Sequence, residues 1–239
     1  MMSRWLALLA LVAVAGVFAG CDTTRAKSSR AKIAADRELA SRKAVVVRKP
    51  SADVKVTGVD VVGRGRDAAF VVRYLNEGDV ALNDLPINVG VSSGGAKTYL
   101  NRRKGLEYFL THIAAASPGA EGIWIAQFGK RIPKGKPFAV IGKPTFPQSG
   151  AGAVPPIELK DVTAARGKVT GKVKNTTGTP QYAIFIYAIG LSGDDVVAAA
   201  SARPVKFSTG EEQPFSAKLV GRLGKAELKT YAAPAVVSD

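Results

Sequence analysis

The stretch KVTGKVKNTTGTPQYAIFIYAIGL, residues 168–191, decides the fold class. It contains a short strand-like run from Lys168 to Lys174, a turn cluster from Asn175 to Gly178, and a longer apolar run from Gln181 to Leu191. Apolar and β-branched runs separated by Asn, Gly and Pro are typical of β-strands joined by turns. The stretch therefore predicts antiparallel β-structure.

The first half of the chain repeats this plan. The corresponding segments in the first half are Ala68 to Tyr74, Asn76 to Asp79, and Leu85 to Val91. Asn76 then corresponds to Asn175, and a Ser-x-Gly-x-Glu turn follows in each half, beginning at Ser117 and at Ser208. Because a repeat in the sequence indicates a repeated structural unit, the chain is expected to contain two similar units. The first unit carries an insertion near Ala96 to Ala115.

Further short runs, Val54 to Thr57, Ile123 to Phe128 and Phe138 to Ile141, extend the pattern. Many short strands without a long helical period favour an antiparallel β-sandwich. The Pro- and Gly-rich segment from Gly142 to Pro156 interrupts the strands and is typical of an interdomain linker. The alternative is a single larger sandwich in which this segment is a long loop.

The second half also resembles a known group of proteins. Gly171 to Gly178, the turn at Gly193-Asp194, and Ser208 to Phe215 are similar to the FxLYD and CARDB groups of bacterial extracellular modules. The resemblance implies an immunoglobulin-like β-sandwich in an extracellular setting, with no shared catalytic residues. The predicted fold class is all-β, with two tandem immunoglobulin-like antiparallel β-sandwiches after a signal peptide and a basic tether.

The predicted domain boundaries follow from these segments. They are a signal peptide at residues 1–20, a lipidated basic tether at 21–50, a first β-sandwich at 51–146, a linker at 147–156, an FxLYD-like second β-sandwich at 157–233 and a C-terminal tail at 234–239.

The first residues resemble a bacterial lipoprotein signal with its lipobox. Arg4 precedes an apolar run from Trp5 to Phe18, and Ala19-Gly20 stands directly before Cys21, the only cysteine. The run is shorter than the roughly 20 apolar residues that a membrane-spanning helix needs, so an export signal is favoured. The resemblance implies cleavage before Cys21 and lipidation (palmitate) of its thiol.

The tether beyond Cys21 is strongly basic. Residues 22–49 contain nine Lys or Arg against three Asp or Glu, within a chain of net charge +15. Such a segment is attracted to anionic headgroups, although a solvated spacer without a ligand is the simpler interpretation. The absence of aromatic residues from 22–49 argues against a nucleic-acid partner. The predicted location is the cell envelope, on the outer face of the cytoplasmic membrane, with the outer membrane as the alternative.

The insertion supplies the candidate ligand-binding residues, in which cations stand among aromatic side chains. They are Tyr99, Arg102, Arg103, Lys104, Tyr108 and Phe109. This pattern suits an anionic glycan, a wall polymer or an acidic partner protein. The alternative is that the segment packs onto the sandwich while its cations remain in water.

Signs of catalysis are few. His112 is the single histidine, and a catalytic triad or a zinc site would need distant partners for it. Asp194-Asp195 and Glu211-Glu212 lack the spacing of a calcium loop. The chain is therefore predicted not to be an enzyme and to need no metal or cofactor.

The sequence favours a non-enzymatic cell-envelope lipoprotein that presents two β-sandwich modules for protein binding or scaffolding. Its partners would be the membrane, through lipid and basic tail, and an envelope protein or polymer. The alternatives are an anionic glycan or wall-polymer binding module and, less favoured, a hydrolase that uses His112.

Overall fold

A computed structural model describes residues 43–144, 154 and 157–234. The predicted signal peptide, Cys21 and most of the tether lie outside these residues, as does most of the predicted linker and of the C-terminal tail. No helix in the described part of the chain is long and apolar enough to cross a membrane.

The regular secondary structure of the described residues is almost entirely β-strand, which confirms the all-β prediction. In the first half the strands are β1 (Val54–Val62), β2 (Ala69–Asn76), β3 (Leu82–Ser93), β4 (Ala96–Tyr99), β5 (His112–Ala116), β6 (Glu121–Gln127) and β7 (Lys136–Ile141). Two short 3₁₀ turns, Gly65–Asp67 and Tyr108–Leu110, complete it.

The second half contains eight described strands. They are β8 (Glu158–Ala165), β9 (Lys168–Lys174), β10 (Gln181–Ser192), β11 (Asp195–Ala202), β12 (Val205–Phe207), β13 (Glu212–Lys218), β14 (Val220–Gly221) and β15 (Glu227–Pro234).

The two halves have corresponding strand pairings, all of them antiparallel. In the first half, one sheet has the order β1-β2-β6, and β3 pairs with β4, β5 and β7 in the other. In the second half, one sheet has the order β8-β9-β13, and β10 pairs with β11, β12 and β15 in the other. Each half is therefore consistent with a β-sandwich module, and the repeat seen in the sequence is a repeat of pairing.

The corresponding asparagines make the same bonds in both halves. Asn76 and Asn175 are fully buried, whereas the sequence analysis placed them only in turn clusters. The amide nitrogen of Asn76 donates to Val80 O (2.9 Å) and Ala116 O (3.1 Å). That of Asn175 donates to Thr179 O (2.8 Å) and Ser208 O (3.1 Å). Each side chain thus joins the turn after its strand to the segment that leads into the third strand of its sheet.

Backbone bonds complete this junction. Gly119 N donates to Asn76 O, and Gly210 N donates to Asn175 O, both at 2.9 Å. These glycines belong to the two Ser-x-Gly turns and have φ angles of 62° and 76°, which favour glycine. The repeated turn residues are therefore explained by a shared hydrogen-bonding arrangement.

The halves pack against one another through a strand that is buried on both faces. On β10, Ile184, Ile186 and Ala188 belong to the core of the second half. The alternate residues Phe185, Tyr187 and Ile189 join a core that otherwise consists mainly of first-half residues. An apolar run of this kind is expected where both faces of a strand are covered. The described residues belong to one compact unit, and their division into two domains stays a prediction.

Candidate binding surface

The structure divides the six predicted ligand-binding residues into groups with different surroundings. Tyr99 ends β4, and Arg102 lies just beyond it. Arg103 and Lys104 are exposed in the following loop. Tyr108 and Phe109 belong to the 3₁₀ turn and are partly buried. The six residues therefore do not form one continuous surface.

Arg102 and Asn88 hold the beginning of the folded unit. Arg102 Nε donates to Asn88 Oδ1 (2.7 Å), and its Nη2 donates to Val47 O (2.9 Å). Asn88 is fully buried; its Oδ1 accepts from Val47 N (2.8 Å), and its Nδ2 donates to Val45 O (3.0 Å). The Arg102 guanidinium also lies 3.4 Å from the centre of the Tyr99 ring. The side chain of Arg102, a predicted ligand-binding residue, therefore already forms hydrogen bonds within the protein, to Asn88 and to the backbone of Val47.

We call residues 45–50 the entry strap, because they lead into β1. Beyond the contacts to Asn88 and Arg102, Pro50 forms an isolated bridge with Gly142, and Ser51 N donates to Ile141 O (2.8 Å). This part of the predicted tether is therefore attached to the first half at the end where β1 begins and β7 ends.

A groove of about 640 Å³ opens beside the strap, and we call it the entry groove. Its cations are Arg48, Lys97 and Arg102, and no Asp or Glu is among its lining residues. Val54, Val56 and the last residues of β7 form its apolar floor. The groove therefore combines positive charge with apolar surface, which suits an anionic ligand.

Tyr108 and Phe109 instead face the second half. The Tyr108 ring lies 6.5 Å from the Phe185 ring. The Arg203 guanidinium lies 4.2 Å from the Phe109 ring and pairs with the carboxylate of Glu107 at 2.9 Å. Burial, together with a hydrogen bond to Asp84, raises the pKa of Tyr108 far above its ordinary value. These two aromatic residues therefore pack between the first and second halves.

His112 is enclosed by its neighbours. Its ring stacks on that of Tyr108 at 4.6 Å, and its Nδ1 lies 2.9 Å from Thr111 Oγ1. Its Nε2 lies 4.0 Å from Asp84 Oδ1. The Thr111 side chain is buried and its hydroxyl donates to Tyr108 O, so this hydroxyl is poorly placed to attack a substrate. The arrangement suits packing better than nucleophilic catalysis.

A second groove, of about 920 Å³, lies between the loop that follows β1 and the loop that precedes β7. We call it the far groove. Three exposed cations line it: Arg64, Arg131 and Lys134. Among its described lining residues the one carboxylate is that of Asp60, which lies 3.5 Å from Arg73 Nη2.

The cations of the first half also crowd one another near the far groove. Lys130 precedes Arg131, and its Nζ donates to Leu100 O (3.2 Å). Burial, and then the charge of Arg103, lower the pKa of Lys130. Arg103, a predicted site residue, therefore contributes to the positive potential on this side of the molecule.

Sequence reasoning missed the far groove. Neither Gly63 to Arg66 nor residues 129–136 were among the candidate site residues. The available signal was local: residues 130–136 contain four Lys or Arg and no Asp or Glu. What no local pattern shows is that β1, β2 and β6 place this loop opposite Arg64.

Comparison with known proteins found no matching family model and no significantly similar curated protein. The resemblance to FxLYD and CARDB modules and to lipoprotein signals stays a prediction. Within the described residues there is no group of three or more His, Cys, Asp or Glu side chains that could hold a metal ion.

Proposed function

We propose that this protein is a non-enzymatic cell-envelope lipoprotein that presents its β-sandwich halves to another envelope component. Lipid on Cys21 would anchor it to the outer face of the cytoplasmic membrane, with the outer membrane as the alternative. The leader and the single cysteine before a basic segment motivate the anchor. A lipid chain next to basic residues is the two-part arrangement that gives stable membrane attachment.

The observation that carries the proposal is the attachment of the entry strap. Asn88 and Arg102 bind the backbone of residues 45–47, so the folded unit begins at a defined point within the last residues of the predicted tether. Such a connection favours a module that is held near a surface and presents its grooves. Binding rather than catalysis is also favoured by His112 and Thr111, whose side chains pack within the first half.

The anchor is tested with Cys21→Ser in the full-length protein expressed in a bacterium with the lipoprotein pathway. We expect wild-type protein to incorporate labelled palmitate and to sediment with membranes. Because the serine variant lacks the acylated thiol, it should lose the label and appear in the soluble fraction. Thr23→Ser, two residues further on, serves as the matched control and should behave as wild type. Unlabelled wild-type protein, or a Cys21→Ser variant that still carries lipid, would contradict the anchor.

Presentation to a partner is tested separately by crosslinking in intact cells. We expect wild-type protein to give reproducible crosslinked species that Cys21→Ser reduces, because the variant is no longer concentrated at the membrane. Normal labelling without any crosslinked species would contradict the binding role while leaving the anchor intact.

A further inference from the structure

The two grooves lie along the line of contact between β1 and β7 in the first half, which we call the β1/β7 seam. Among the described strands β1 pairs only with β2, and β7 pairs only with β3, so both are edge strands. They pack next to each other, one from each sheet of the first half. The early residues of β1 and the last residues of β7 line the entry groove, whereas Val59 to Val61 and Pro137 line the far groove.

The length of this seam follows from β1. The strand has 9 residues, and a strand rises about 3.3 Å per residue, so the grooves stand at the two ends of a seam roughly 30 Å long. The entry groove adjoins the entry strap, and the far groove lies at the opposite end. A ligand that contacts both grooves must be extended.

Positive charge dominates both ends of the seam. Arg48, Lys97 and Arg102 line one groove, and Arg64, Arg131 and Lys134 line the other. In the described part of the chain none of these six cations forms an ion pair with a carboxylate. The one carboxylate on the seam, Asp60, is paired with Arg73. The described residues therefore leave these six cations without a carboxylate partner.

Three cations at each end of a long seam match repeated negative charges better than a single small anion. A polyanion that displaces counterions from such a surface gains affinity without base or sugar recognition. The described lining of the far groove contains no aromatic residue on which a ring could stack, and the one in the entry groove, Tyr99, has the Arg102 guanidinium 3.4 Å from its ring centre. The chemistry of the seam is therefore recognition by charge and length.

We propose that the β1/β7 seam binds a linear polyanion, with anionic groups at one end in the entry groove and at the other in the far groove. The inference rests on the proposed function as a binding module and names its partner class. The shared chemistry is a chain of repeated phosphate or carboxylate groups.

The test measures binding of labelled polyphosphate and labelled polyglutamate to the purified full-length protein by fluorescence anisotropy over a series of salt concentrations. Because an extended peptide spans about 3.3–3.6 Å per residue, a polyglutamate of about 12 residues can extend along the whole seam, whereas one of about four covers only about half of it. We expect tight, salt-sensitive binding of the longer chains and at least tenfold weaker binding of the short one.

Two seam variants test the grooves separately. Arg64→Gln/Arg131→Gln/Lys134→Gln removes the far-groove cations, and Arg48→Gln/Lys97→Gln removes two entry-groove cations. Arg102 is left intact because it holds the strap. We expect each variant to weaken long-chain binding at least fivefold. The triple variant should also make the dependence of log affinity on log salt shallower, reducing the magnitude of its negative slope by about 2. Each lost contact contributes about 0.7–0.9 to that magnitude.

The matched control is Arg166→Gln/Arg222→Gln/Lys225→Gln, which removes two arginines and one lysine that are exposed in the second half. Urea unfolding of all variants verifies that they remain folded. Weakening by the seam variants with an unchanged control supports the proposal, and the preferred probe then identifies phosphate or carboxylate as the anion. Equal weakening by seam and control variants, or no binding of either long probe at low salt, overturns it. These results do not depend on palmitate labelling or on crosslinking, so they distinguish failure of the seam from failure of the proposed function.

Discussion

Asn76 and Asn175 act as buried connectors rather than as ordinary turn residues. Each satisfies two carbonyl oxygens and accepts a backbone N–H two residues later, from Gly78 and from Thr177 respectively, both at 3.1 Å. A buried amide that loses its partners is costly because water cannot replace them. The stability of each half should therefore depend strongly on one side chain.

The Asn175→Ala variant tests this dependence. It removes one donor to Ser208 O and one of the two donors to Thr179 O, and it leaves the buried Thr177 N without its acceptor; an unsatisfied buried group costs about 1–3 kcal/mol. We expect the free energy of unfolding, measured with urea, to fall by about 3 kcal/mol. Asn175→Asp, which keeps the shape but places a carboxylate against two carbonyls, should be at least as destabilising. The exposed Ser93→Ala is the control; a loss at Asn175 no larger than at Ser93 would contradict the role.

Asp60 makes stability depend on pH. Burial raises its pKa above 3.8, and Arg73 and Asp195 act on it in opposite directions, Arg73 lowering the pKa and Asp195 raising it. The folded protein thus holds the Asp60 proton more tightly than the unfolded chain. Ionisation of this carboxyl consequently lowers the free energy of unfolding as pH rises from about 3.8 through the raised pKa.

The Asp60→Asn variant removes this titration while its amide oxygen can still accept from Arg73. We expect the variant to gain stability relative to wild type as pH rises through this interval. Urea unfolding of both proteins at a series of pH values measures the difference in their free energies of unfolding. The contributions of the other titrating groups cancel in this difference. A difference that does not change with pH, or that changes in the opposite direction, would show that burial does not control Asp60.

At the scale of elements, the sequence predicted strands well because each is bounded by local turn residues. The predicted Lys168 to Lys174 coincides with β9, and Gln181 to Leu191 is one residue shorter than β10. Which residues pack against the faces of a strand depends on distant parts of the chain. The apolar run in β10 indicated a strand, but the first-half residues against its second face come from distant parts of the chain.

The candidate site shows the same limit. Tyr99 and Arg102 are in the entry groove, while Phe109, only a few residues later, contacts Arg203. No local feature of the insertion distinguishes these two outcomes, because the deciding residue lies 96 positions beyond Glu107. The far groove was missed for a similar reason, since the pairing of β1, β2 and β6 brings its two loops together.

At the scale of the whole molecule, the shared core couples the two halves. Adjacent side chains on β10 belong to different cores, and Glu107 and Arg203 join the halves at their edge. Two halves with a shared core should not unfold independently, because unfolding of either half exposes apolar surface of the other.

Two substitutions on β10 test the coupling, with Trp124 as the reporter. Trp124 is buried on β6 of the first half and is the only tryptophan beyond the predicted signal peptide, so its fluorescence reports on the first half and the shared core. Ile186 faces the second-half core and Ile189 the shared core, each 1% exposed.

Replacing either by Ala should cost about 2–5 kcal/mol. If the halves unfold together, both variants move the Trp124 transition and the circular-dichroism transition to the same lower urea concentration. If Ile186→Ala instead produces an earlier circular-dichroism transition while the Trp124 transition stays in place, the halves unfold separately, and the shared core does not couple them.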